Sequence, residues 1–195
     1  MRLAPYRHLT KGDKLMQTEK RLAAAPFSEI TGRILTGYAV LWGVETRIGD
    51  FTEIFERGAF TQTLANRANL RDILLLVDHD STQLLARQAN SSLTITEDAK
   101  GLRVQASLPD TQLGNDTLKM AEAGLLGGLS VGFVAVKEEW TGNRRSVSQA
   151  DLVEVSIIHA HAAVLPTADT LDVRKLQAGA EADLRARLYT YYLGA

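Results

Sequence analysis

Leu93-Thr94-Ile95-Thr96 and Leu102-Arg103-Val104-Gln105-Ala106-Ser107-Leu108 both alternate apolar and polar residues, with only Glu97-Asp98-Ala99-Lys100-Gly101 between them. A period of two places every second side chain on one face of a strand. So short a connection suits a hairpin and not a parallel crossover. The pair therefore reads as antiparallel, with Gly101 available for the positive φ of its turn. After the hairpin, Pro109-Asp110 closes the unit. Thr111 to Ala123 then has helical spacing, with Leu113, Thr117 and Met120 on one side and Gly124 as its stop.

The same reading extends in both directions. Upstream, Ile30 to Leu41 predicts a bent strand containing Gly32 and Gly37, and Gly49-Asp50 a turn before a short strand from Phe51 to Phe55. Gly58 to Ala68 reads as a helix with Phe60, Leu64 and Ala68 on one face. Ile73-Leu74-Leu75-Leu76-Val77 is a buried strand that emerges at Asp78-His79-Asp80. Downstream, Gly127 to Phe133 leads into an alternating strand that reaches Trp140. A turn at Thr141-Gly142-Asn143 precedes strand-like pieces near Arg144 to Val147 and Leu152 to His159. The expected class is α+β, mainly antiparallel β: a closed or partly closed barrel of about seven strands, or a sandwich, surrounded by helices.

Composition sets limits on function. The chain has 195 residues, 45% apolar and 23% charged, with a net charge of -1. One sizeable domain is expected, without a global field for gripping nucleic acid or an anionic membrane. There is no cysteine, which excludes disulfides, thiolate metal sites and a cysteine nucleophile. No apolar run has the length of a membrane span, and Leu22-Ala23-Ala24-Ala25 is too short for a signal-peptide core, so a cytosolic address is the expectation. Residues 1–25 read as a basic, flexible arm, 26–170 as the main domain, and 171–195 as a helical tail.

Three polar positions stand out. His79 follows a wholly apolar strand, Ser130 sits in a glycine-rich approach to another, and Glu154 alternates with Leu152 and Ser156 where an apolar side chain is expected. Serine attacks carbonyls poorly until a base removes its proton. Histidine, with a reference pKa of about 6.5, can take that proton and return it, and a third group fixes its tautomer. Backbone N–H groups beside Ser130 are candidates for holding an oxyanion. Spacing alone leaves other readings open: a solvated loop histidine, a hairpin serine, and Glu154 paired with Arg144 or Arg145. His159-Ala160-His161 could join Asp78, His79 or Asp80 around a metal, but no second cluster supports it and a plain strand exit is preferred. Gly124 to Ser130 lacks the Lys-Ser/Thr ending of a phosphate loop. The basic arm and Arg144-Arg145 read as solvated surface.

Six stretches carry a resemblance: Gly37 to Trp42, Glu53 to Phe60, Asp78-His79-Asp80, Gly101 to Val104 with Leu108 to Thr111, Leu129 to Phe133, and Leu152 to Ser156. In this order and spacing the chain resembles the prohead (capsid maturation) serine proteases of tailed bacteriophages, which are related to the herpesvirus assembly proteases. The resemblance implies a serine endopeptidase with no cofactor and no metal, its nucleophile at Ser130 and its histidine at His79. For the third member the match suggests Glu154. The family commonly has prolines where this chain has Ile157-Ile158-His159-Ala160-His161-Ala162, so His159 and His161 stay open as alternatives. The implied substrates are the major capsid protein or a scaffolding protein, and the enzyme itself, inside the assembling procapsid in the host cytoplasm. No specific nucleic acid and no membrane is implied, and there is room for a homo-oligomer. A non-catalytic scaffold or assembly module on the same fold is the alternative.

Overall fold

The computed structural model describes residues 18–22, 27–65 and 72–159. In chain order the strands are β1 (Glu19–Leu22), β2 (Glu29–Thr31), β3 (Ile34–Leu41), β4 (Thr46–Ile48), β5 (Phe51–Phe55), β6 (Leu74–Val77), β7 (Asp80–Arg87), β8 (Leu93–Glu97), β9 (Gly101–Ser107), β10 (Gly128–Thr141) and β11 (Arg144–Ile158). Two α-helices, α1 (Thr61–Ala65) and α2 (Gln112–Glu122), and a 3-10 turn at Gln88–Asn90 complete the described elements. None of these helices is long and apolar enough to cross a membrane.

The described residues are thus mostly strand, in two sheets. The smaller runs β2-β3-β9-β8 and is antiparallel throughout; it contains the hairpin of residues 93–107. The larger runs β1-β10-β11-β5-β4, with β6 and β7 attached through β11. It is mixed. β11 pairs antiparallel with β10 over nearly its whole length, while its two halves pair in parallel with β5 and with β6. Among the described residues neither sheet closes on itself by hydrogen bonding, so the expectation of a closed barrel is not met in these pairings. The parallel contacts arise because β5 and β6 arrive from distant parts of the chain and share one edge of a strand long enough for both.

Several local expectations change for physical reasons. Ile30 to Leu41 is not one bent strand: Gly32 takes φ +58° and folds it into the β2–β3 hairpin. Gly101 has no positive φ. It is a glycine because a Cβ there would lie 2.1 Å from the Val40 carbonyl oxygen on the neighbouring strand. The two pieces read around Arg144 and Leu152 are one strand, β11. Helix α2 behaves as its sequence predicts: Thr111 caps it by accepting from the Gly114 N–H at 3.2 Å, and Gly124 follows at φ +68°. The tail 171–195, most of the arm and residues 66–68 of the expected α1 lie outside the described residues.

Between the sheets lies one apolar core, to which Leu35 and Val104 contribute from the smaller sheet and Val131, Phe133 and Val155 from the larger. Phe55, Phe60 and Phe133 pack edge and face, with centroids 5.0 to 6.5 Å apart. Arg145 corrects the surface reading of Arg144-Arg145. Arg144 is exposed beside Glu45, but Arg145 is only 5% exposed. Its guanidinium donates to Glu53 (2.8 Å), Glu19 (2.5 and 2.7 Å) and Glu138 (2.7 Å). Glu53 is itself buried and also accepts from Arg21 at 2.5 and 3.0 Å. Two guanidiniums and three carboxylates from β1, β5, β10 and β11 therefore pair in one network, with the buried Glu53 and Arg145 at its centre.

Burial alone would raise the Glu19 carboxyl, but the hydrogen bond and charge of Arg145, joined by Arg21, hold it below its ordinary value of 4.5. A depressed folded value means that ionised Glu19 stabilises the docked β1. That contribution is whole above the ordinary value and is lost as pH falls through the lowered one. Glu53 accepts from both guanidinium groups and Glu138 from that of Arg145. Hydrogen exchange followed from neutral pH downward is expected to show the β1 amides losing protection in acid before those of β9.

Candidate active site

The larger sheet brings three distant segments together around β11. On one side Ser130 of β10 pairs with Ser156, and Gly132 with Glu154. On the other side Glu154 to Ile157 pair with Leu74 to Val77 of β6. Side chains two apart on a strand share a face, so Glu154, Ser156, Ser130 and Gly132 project the same way. β6 then ends in Asp78 and His79, whose φ values of +47° and +61° make a tight turn into β7. Two successive positive φ values suit a two-residue hairpin, and glycine or asparagine usually supplies them. Here a histidine carries one, a strained position of the kind that clusters at functional sites.

β11 holds this turn in place. The Asp78 N–H donates to the Ile157 carbonyl at 2.9 Å, and the His79 N–H to Ser156 Oγ at 3.2 Å. Asp78 also accepts from the His159 N–H at 3.0 Å and meets the His159 ring Nδ1 at 2.6 Å. The result is an imidazole lying over the shared face. His79 Nε2 is 2.9 Å from Ser130 Oγ, and His79 Nδ1 is 2.5 Å from Glu154 Oε1. Glu154's other oxygen accepts from Ser156 Oγ at 2.6 Å. Ser130 is 3% exposed, and the side chains of His79 and Glu154 are partly buried, at 13% and 12%.

An ionised carboxylate only accepts, so the Nδ1–H of His79 donates to Glu154. The ring tautomer this selects leaves Nε2 as an acceptor facing the Ser130 hydroxyl. Ser130 Oγ also lies 2.9 Å from the main-chain carbonyl oxygen of Arg21 in β1. Its single proton goes either to that carbonyl or to His79. Chemically, this is a hydroxyl beside a base whose orientation a partly buried carboxylate fixes, the requirement for an oxygen nucleophile.

The structure thus brings together His79, Ser130 and Glu154. It does not bring His159 to them: that ring is engaged with Asp78, and His161 lies outside the described residues. Glu154 pairs with neither Arg144 nor Arg145, which have other carboxylate partners. The glycine-rich approach supplies no free oxyanion donor at Gly127, whose N–H is taken by the Ile158 carbonyl at 2.6 Å.

The sequence profile of the caudovirus prohead serine proteases matches residues 23–180 of this chain. The chain belongs to that family. Among solved structures, the capsid assembly protease of bacteriophage T4 (gp21) is similar, with a TM-score of 0.50 at 11% identity over 74% of this chain and 96% of that one. That likeness is one of fold. No curated protein matches the chain significantly. Within this prohead protease, Ser156 is the part of the site that sequence reasoning passed over. Its hydroxyl links the Glu154 carboxylate to the backbone of the His79 turn, and its only signal was that it shares a strand face with Glu154.

Gly132 has a duty that the structure makes plain. A Cβ at this position would lie 2.4 Å from Glu154 Oε1 and 3.0 Å from its Cγ. Gly132→Ala is expected to push the carboxylate off His79 and to slow substrate trimming about a hundredfold, the usual effect of misplacing a site group by about 1 Å. Trimming rates measured beside a circular dichroism spectrum check this; the spectrum is expected to stay that of the wild type.

Proposed function

We propose that this prohead protease is an active serine endopeptidase that matures the procapsid. It would act inside the shell on the scaffolding protein or a scaffold-like arm of the major capsid protein, and on itself. The observation that carries this reading is the unbroken run from Ser130 Oγ through His79 to Glu154, at 2.9 and 2.5 Å. Ser130 Oγ attacks the scissile carbonyl carbon while its proton passes to His79 Nε2. The charge on the imidazole is balanced by Glu154, which stays ionised. As the tetrahedral intermediate collapses, His79 gives that proton to the departing amine and the acyl-enzyme remains on Ser130. Water, deprotonated by His79, then releases the acid product and restores the serine. No cofactor enters this sequence.

Confinement in a closed shell suits such an enzyme, since high local concentration drives encounters between weakly bound partners. Residues 1–25 and 171–195 are proposed as the arm and tail flanking the protease domain, with roles in docking to the shell or in self-cleavage. Intact-mass spectrometry of the capsid protein co-expressed with this chain tests the reading. Shortened capsid protein with the wild type, and full-length protein with His79→Ala, is the expected outcome. Shells that assemble without any trimming would favour a non-catalytic assembly module on the same fold.

A further inference from the structure

β1 lies where a substrate strand would lie. It pairs antiparallel with the outer edge of β10, with Leu22 opposite Ser130 and Arg21 opposite Val131. Without it, β10 would present an open edge of main-chain donors and acceptors, the template to which extended peptides add as an extra strand. The carbonyl nearest the serine belongs to Arg21, accepting from Ser130 Oγ at 2.9 Å. The Arg21 side chain reaches Glu53 beside a cavity that it lines together with Leu22, Val40, Leu41, Val44 and Glu53. There Glu53, 1% exposed, takes Nε at 2.5 Å and a terminal nitrogen at 3.0 Å, a two-pronged grip on a guanidinium. Moreover, the family match begins at residue 23, immediately past β1.

We infer that the outer edge of β10 is the peptide-binding edge, that Glu19–Leu22 occupies it in the resting chain, and that Glu53 selects arginine at the residue whose carbonyl faces Ser130. This rests on the peptidase reading of the site and adds its substrate class: an extended peptide with arginine at that place. The strand now held there blocks the edge, so external peptides must displace it. Arg145 stays paired with Glu53 and Glu138 when β1 leaves, so the emptied place carries one net negative charge, which suits an incoming guanidinium.

The test uses the full chain made inert by Ser130→Ala, and fluorescence anisotropy of a dye-labelled peptide copying residues 17–24. Adding Arg21→Ala to the protein weakens the resident strand. That protein is expected to bind the peptide about tenfold or more tighter than Ser130→Ala alone does, and to prefer it to a peptide with alanine for arginine by about tenfold to a hundredfold. Adding Glu53→Gln is expected to erase the preference. Should Arg21→Ala unfold by circular dichroism, Arg21→Lys replaces it, since it keeps the charge but loses the fork. A folded protein that binds both peptides alike, or neither, overturns the inference and makes β1 a fixed structural strand. The two readings fail separately: trimming of capsid protein without arginine preference sinks only this one, and arginine preference without any trimming sinks only the peptidase.

Discussion

Ser130→Ala is expected to lower turnover of a peptide spanning a capsid trimming site by about a millionfold, leaving no signal above background. The size follows from the site's geometry. Ser130 Oγ is the hydroxyl within 2.9 Å of His79 Nε2, the nitrogen that the Glu154 contact leaves free to accept. Ser156 also projects from that face, but its hydroxyl is committed to Glu154 Oε2 at 2.6 Å and accepts the His79 backbone N–H at 3.2 Å. It sits on the carboxylate side of the imidazole and cannot stand in as nucleophile. Removing one oxygen atom from a buried position on β10 leaves the sheet pairing untouched, so the unfolding midpoint is expected to stay near that of the wild type. Steady-state assays with a denaturant melt check both halves.

Glu154→Gln is expected to reduce turnover about ten-thousandfold, the loss seen when an amide replaces the carboxylate behind a catalytic histidine. The carboxylate accepts on both oxygens, from His79 Nδ1 and from Ser156 Oγ. An amide of the same size offers one acceptor and one donor. If its NH2 faces His79, the ring must switch tautomer, and Nε2 then carries a hydrogen and cannot take the serine proton. If its oxygen faces His79, Ser156 loses its acceptor and the developing imidazolium loses its counter-charge. Both arrangements leave the fold intact and the reaction slow. A fall in kcat with little change in KM is the expected signature, because Glu154 acts on the transition state and not on substrate binding.

The parts of the site that could be read from sequence are those announced by an interruption. His79 ends an apolar strand, Ser130 follows glycines, and Glu154 breaks an apolar face. The β8–β9 hairpin and capped α2 were legible for a similar reason, since alternation and caps are local signals. What was not legible depends on contacts far apart in the chain. The Asp78-His79 turn lacks glycine, and its two positive φ values are held by β11, some eighty residues on. The parallel pairings of β11 with β5 and β6 leave no trace in a count of hairpins. β1 looked like part of a solvated basic arm because its partners, Glu53 and Arg145, belong to other segments. Arg145 likewise gave no sign of burial beside its exposed neighbour Arg144.

Peptide hydrolysis at this site requires that Ser130 be an activated nucleophile. Labelling the full chain with a fluorophosphonate and mapping the adduct by peptide mass spectrometry asks this directly. The prediction is a single adduct on Ser130 in the wild type and none in His79→Ala. No adduct either in the wild type or in Arg21→Ala, whose resident strand is weakened, or an adduct on another residue with Ser130 unmodified, would contradict it.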